Sequence, residues 1–301
     1  MNDFIQHTIN GLALGSIYAL VALGYTMVFG VLQLINFAHG DIFMMGSFVG
    51  LYFIRYVLPV DFEPSIMTTL MVVAAAMIGS AAIGVIIEKF AYRPLRKAPR
   101  INILITAIGV SLFLEYGGQL VFGASPKVFP TILPRQNVDL GGDIYLDTNQ
   151  ITIFLVSFFL MVVLQYLVFK TQFGRAMRAI SHSLETANVI GINVNKVIFI
   201  TFIIGSGLAG AAGVLYAVAY PKIDPLLGLL PGLKAFIAAV LGGIGNITGA
   251  VIGAIILGLS ETYVAGYISS TYRDALAFVI LILVLLLRPG GILGSKKIEK
   301  V

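Results

Sequence analysis

Asn36, His39 and Asp41 set an amide, an imidazole and a carboxylate inside one short string, INFAHGD, interrupted by Gly40 and flanked by long apolar runs. Such a trio could relay protons or do acid–base work, but either job needs a second acid–base group or metal ligands at fixed spacing. The chain has three histidines, His7, His39 and His182, and no cysteine, so thiolate metal sites, cysteine nucleophiles and disulfides are excluded. Polar groups at membrane depth cost roughly 2.5–3.5 kcal/mol each unless partnered or wetted. Asn36, His39, Gly40 and Asp41 are therefore expected to form a structural helix break facing the bundle interior or a partner, or else to line a path across the membrane. A second stretch, LGGIGNITGA from Leu241 to Ala250, has the glycine density of a phosphate cradle. A P-loop requires Gly-x4-Gly-Lys followed by Ser or Thr, and no such string exists in the chain. Gly242, Gly243, Gly245 and Asn246 are expected instead to make a tight turn in a broken helix whose backbone faces a cavity rather than lipid.

A third stretch, Lys170 to Lys196, is too polar to span a membrane. Helix formers around Arg175–Ala187 precede Gly191, a helix stop, and a polar turn. This stretch is either an amphipathic segment on lipid headgroups, for which Arg175 and Arg178 suffice, or a coupling helix that fits a groove in a separate motor protein.

The elements that must hold these residues follow from composition. Fifty-eight per cent of residues are apolar, 11% are charged and the mean hydropathy is +0.98, against roughly 45–50% and about 25% in soluble domains. The expected fold is an all-α, polytopic transmembrane bundle of about eight spans in one domain, residues 1–301. Spans are expected at 8–31, 41–58, 66–88, 101–122, 151–169, 197–220 and 274–288, with two short or half-crossing helices forming a broken, re-entrant pair within 231–264. Residues 1–6 carry no Lys or Arg, so the first apolar run is read as a retained helix and not a cleaved signal. Small residues four apart, at Gly11 and Gly15, Gly46 and Gly50, Gly205, Ala209 and Gly213, and Gly249 and Gly253, predict close helix packing. The spacing of Gly40, Gly46 and Gly50 recurs at Gly243, Gly249 and Gly253, the mark of a repeat or of chance.

Three basic clusters hold thirteen of the nineteen Lys and Arg residues: Lys89, Arg93, Arg96, Lys97 and Arg100; Lys170, Arg175, Arg178 and Lys196; Arg288, Lys296, Lys297 and Lys300. Basic loops stay cytoplasmic, which puts the N-terminus outside and the C-terminus inside. The basic residues lie beside hydrophobic segments, which argues against nucleic-acid binding. Gly123–Gln150, with Asp139, Asp143 and Asp147, is expected outside, as a connector or a docking surface. Only Asp41, Glu88, Glu115, Lys234 and Glu261 approach the apolar runs, mostly by their ends, a thin set for an ion-coupled carrier. A channel would need a filter sequence or a repeated polar lining, and neither is present.

INFAHGD, AYRPLR at 91–96, GRAMRA with ETANVIGIN between 174 and 193, KAFIAAVLGGIGNITGAVIG at 234–253 and LLLRPGGILG at 285–294 together resemble the LivH-type permeases of branched-chain amino-acid ABC transporters. The resemblance runs nearly end to end. It implies a subunit of the bacterial plasma (inner) membrane that pairs with a LivM-type permease, above two cytoplasmic ATPases of the LivG and LivF type. An extracytoplasmic binding protein would deliver leucine, isoleucine or valine. It also implies that Glu185, Thr186, Ala187, Gly191, Ile192 and Asn193, with Arg175 and Arg178, contact the ATPase. The chain is then no enzyme and binds no cofactor, ATP and magnesium residing on the partners. Importers of urea and short-chain amides share the pattern, and an ATP-independent carrier or channel is the competing class.

Overall fold

Lipid gives the backbone no hydrogen-bonding partner, so a chain this apolar must satisfy its N–H and C=O groups within helices. The computed structural model describes residues 2–59, 61–96, 98–139, 141 and 144–294. Lys97, Asp143, Lys296, Lys297 and Lys300, and the side chains of Arg100 and Asp139, lie outside what is described. The helices are α1 (Asn2–Leu32), α2 (His39–Tyr56), α3 (Ile66–Leu95), α4 (Arg100–Phe122), α5 (Thr148–Lys170), α6 (Gln172–His182), α7 (Leu184–Val189), α8 (Val194–Ala219), α9 (Leu229–Gly242), α10 (Ile247–Tyr267) and α11 (Arg273–Leu287). Helix α3 passes through a π-helical turn at Glu88–Tyr92. Among the described residues, seven helical stretches are long and apolar enough to cross a membrane: α1, α3, Ile101–Phe122, α5, α8, α10 and Ser270–Leu287. The 18-residue α2 and the 14-residue α9 complete the bundle.

Small residues let the backbones touch. A Cβ on Gly11 would lie 2.9 Å from Leu259 Cα, and one on Gly258 would lie 2.5 Å from Gly15 Cα, so α1 and α10 pack antiparallel with no side chain between them. Gly210 of α8 packs against Ala76 and Ser80 of α3 in the same way, and Gly213 against Ser47 of α2. Helices α1 and α8 are thereby buried at the centre, while α4, α5 and α11 turn residues such as Phe113, Leu120, Phe159 and Leu286 outward.

The re-entrant pair differs from expectation. Only α9 is short; α10, with 21 residues, is roughly 31 Å long at 1.5 Å per residue, long and apolar enough to cross in full. The reason is where the turn falls. Gly243 and Gly245 adopt φ of +107° and +92°, and Asn246 caps α10 by accepting from the Gly249 amide at 3.0 Å. Everything after Asn246 is free to continue as helix.

One end of the bundle gathers Phe4 and His7 of α1 against Tyr263 and Tyr267 of α10, each pair with ring centroids 5.2 Å apart. A hairpin of β2 (Asn137–Asp139) with β3 (Tyr145–Asp147) lies there, as does β1 (Lys127–Val128) paired antiparallel with β4 (Lys222–Ile223). At the other end Gln33 donates to the Ser181 carbonyl, Arg96 to Asn195 at 2.6 Å, and Ile292 to the Leu241 carbonyl. The described members of all three basic clusters, from Lys89 to Arg288, belong to this second end.

Candidate functional site

Two helices begin inside the bundle, and their first turns meet. Residues 33–38 climb back from the end of α1, so α2 starts with His39 beside Gly24 and Tyr25 of α1. From the opposite end, residues 220–228 descend from α8 before α9 starts at Leu229. A Cβ on Gly40 would lie 2.6 Å from the Gly228 carbonyl oxygen and 3.1 Å from Gly232 Cα, so glycine is required for these starts to touch. A cavity of about 170 Å³ opens at this crossing, lined by Tyr25, Asp41, Ser111, Leu233 and Phe236 among others.

The four INFAHGD residues divide. Gly40 and Asp41 border the cavity. Asn36 and His39 turn into the bundle: the Tyr92 hydroxyl donates to Asn36 Oδ1 at 2.7 Å, and the fully buried His39 ring sits edge-on to Tyr25 at 4.7 Å with neither nitrogen hydrogen-bonded. Among the described residues no group of three or more His, Cys, Asp or Glu could hold a metal ion.

The five charged residues expected to approach the apolar runs, mostly by their ends, are all buried, Glu261 fully and Asp41 at 2% exposure. Glu88 is ion-paired with Arg96 across the π turn. Burial lowers the Arg96 pKa from its ordinary value and Glu88 opposes that shift. Glu261 Oε2 accepts from Tyr18 at 3.1 Å, Lys234 at 3.0 Å and Arg273 at 3.1 Å, and Lys234 also meets Asp274 at 2.7 Å. Asp41 is different: it accepts from Ser111 and faces the side chain of Glu115 within hydrogen-bonding reach. Among the described residues neither acid has an ion-pair partner.

Gly242, Gly243, Gly245 and Asn246 do not join this crossing. Their turn is closed by the chain after α11: Leu293 donates to the Gly242 carbonyl at 3.0 Å and Asn246 Nδ2 to the Leu293 carbonyl at 2.9 Å. The residues that meet the INFAHGD break are Gly228 and Gly232, in the string PLLGLLPG. Its two prolines and two glycines were the available signal. Glu115 stood out only as a charge among apolar residues, and Ser111 and Tyr25 carried no signal, being single residues inside long helices.

The Lys170–Lys196 stretch folds as two capped helices rather than one. Thr171 caps α6 and Ser183 caps α7 through side-chain oxygens, and Asn193 caps α8. Gly191 ends α7 at φ +85°. Met177, Ile180 and Ala187 bury one face, and Arg178 donates to the Val168 carbonyl. Arg175, Glu185 and Thr186 are exposed, and Val189 and Ile190 stand free at 86% and 65% exposure. Beside them lies a cavity of about 620 Å³ whose walls include Arg96, Glu185, Gly191, Ile192 and Asn193.

Residues 7–285 match the family described as the permease component of branched-chain amino acid transport systems. The chain is 43% identical over 302 residues to the BraD high-affinity branched-chain amino acid permease protein of Pseudomonas aeruginosa, covering 99% of this chain and 98% of that one. It is 42% identical over 305 residues to LivH of Escherichia coli, with the same coverage. It is 28% identical to a probable LivH of Methanocaldococcus jannaschii, over 95% of this chain and 91% of that one.

Proposed function

The chain belongs to the family of permease components of branched-chain amino acid transport systems, and we propose that it is one of two membrane-spanning subunits of an ATP-driven importer for leucine, isoleucine and valine. The observation that carries the energy-coupled reading is the α6–α7 segment, capped and leaving Val189 and Ile190 exposed among the described residues. A permease without a P-loop draws its energy from elsewhere. Two cytoplasmic ATPases of the LivG and LivF type dock on this segment and hold the ATP and magnesium; the chain itself binds no cofactor. The N-terminus lies outside and the C-terminus inside, in keeping with the basic end of the bundle facing the cytoplasm. A LivM-type permease pairs with the outward apolar faces, and an extracytoplasmic binding protein delivers cargo at the hairpin end. ATP binding shifts α6–α7, and the motion reaches the helix crossing at Gly40 to switch access between the two sides.

The test is reconstitution of the chain with its second permease, two ATPases and binding protein in vesicles. Uptake of labelled leucine that requires internal or external ATP at the ATPase side, and is not displaced by urea, is the expected result. Equal leucine flux through the chain alone, without nucleotide, would establish a carrier or channel instead.

A further inference from the structure

We infer that the cavity at the crossing of α2 and α9 is a transient station for the cargo, in which Asp41, backed by Glu115, receives the α-ammonium group. This rests on the importer reading above. Of the acids buried in the bundle, Glu88 has Arg96 and Glu261 has Lys234 and Arg273. Asp41 and Glu115 have each other and Ser111, and no cation among the described residues. Two carboxyl groups at hydrogen-bonding separation hold either a shared proton or a cation between them. A protonated amine arriving in the adjoining cavity supplies that cation and gains charge-assisted hydrogen bonds.

The rest of the cavity suits the remainder of an aliphatic amino acid. At about 170 Å³ it is smaller than the roughly 300–1,000 Å³ of drug-sized pockets, so it admits one small molecule. Leu229, Leu233 and Phe236 give an apolar wall for a branched tail. The cargo's carboxylate finds the start of α2, where the Gly40 amide lies beside the Tyr25 hydroxyl and Gly40, Gly228 and Gly232 keep side chains away. Tyr25, 7% exposed, lines the same cavity, with its hydroxyl beside the Gly40 amide. A phenolic hydroxyl there can donate to an incoming carboxylate.

Two measurements on the assembled importer test this. First, ATP-driven uptake of labelled leucine is compared per assembled complex for the wild type, Asp41→Asn, Asp41→Glu and Glu115→Gln. The maximal rate falls about tenfold or more in Asp41→Asn, the size expected for losing one charge-assisted hydrogen bond, and Asp41→Glu restores part of it. Second, the permease–ATPase complex without its binding protein is heated with L-leucine or with 4-methylpentanoate, which keeps the tail and carboxylate but lacks the amine. Leucine raises the unfolding midpoint and 4-methylpentanoate does not, and the difference vanishes in Glu115→Gln. If Asp41→Asn does not assemble, Glu115→Gln carries the rate comparison by itself. Near-wild-type rates in the variants that assemble, or equal stabilisation by the two probes, overturn the ammonium site while leaving the importer intact. Absence of ATP-driven leucine uptake in the wild type instead removes the importer reading itself.

Discussion

Around Glu261 the bundle buries a carboxylate among two cations and a tyrosine hydroxyl, whereas around Asp41 it buries one beside a second carboxyl and a serine. The first arrangement draws its counter-charge from α9 and α11 and ties those helices to α1 and α10. The second has a charge deficit and an adjoining cavity. An acid whose partner is built in is a fastening, and removing one member strands the other in a low-dielectric interior. An acid without one is open to whatever cation passes.

That contrast is most exposed to failure through stability. Glu261→Ala leaves the buried Lys234 with Asp274 alone and takes the Glu261 carboxylate from Arg273, and is expected to cost about 3 kcal/mol, visible as poor membrane accumulation and a lower unfolding midpoint in detergent. Asp41→Asn strands no cation and is expected to cost about 1 kcal/mol; equal losses at the two sites would abolish the distinction. Next in size is Gly40→Val, which forces side-chain atoms against the Gly228 carbonyl. Overpacking there should cost about 1–3 kcal/mol and halt uptake, while Gly109→Ala on α4, where a Cβ meets nothing within 4 Å, leaves uptake intact. At the far end of the molecule, Gly191→Ala puts a Cβ at φ +85°. The strain is about 1 kcal/mol, and the readout is weaker stimulation of the partner ATPases by cargo. Smallest in stability is Val189→Asp, expected within about 0.5 kcal/mol because the residue is exposed. The same variant should nonetheless lose ATPase stimulation, which separates docking from folding.

The bundle was legible because lipid imposes a simple grammar: long apolar runs, small residues four apart, and basic loops. The Gly243–Asn246 turn was equally plain, since clustered glycines before an Asn cap are a local signal. What escaped was the partner of the Gly40 break. Residues 221–230 fall between the expected spans at 197–220 and 231–264, and the Lys222, Asp224, three prolines and two glycines of 220–232 read as a connector rather than as half of a helix crossing. The partners of the acids were not legible either: Glu261 meets Tyr18 and Lys234, and Asp41 meets Ser111, across pairs of helices that packing alone brings together. Helix formers around Arg175–Ala187 gave no sign of a break, because the Ser183 cap depends on an extended backbone at that position, which composition does not reveal.

The π-helical turn at Glu88–Tyr92 has a mechanical meaning. By widening one coil of α3 before Pro94, it directs Tyr92 to Asn36, in the loop leading into α2, and Glu88 to Arg96, which grips Asn195 at the root of α8. Both grips lie on a single stretch shorter than ten residues, one holding the root of α8 next to α6–α7 and the other the entrance to the crossing. On the docking proposed above, a displacement of the first grip has a continuous hydrogen-bonded route to the second, a crank built into the wall of the bundle.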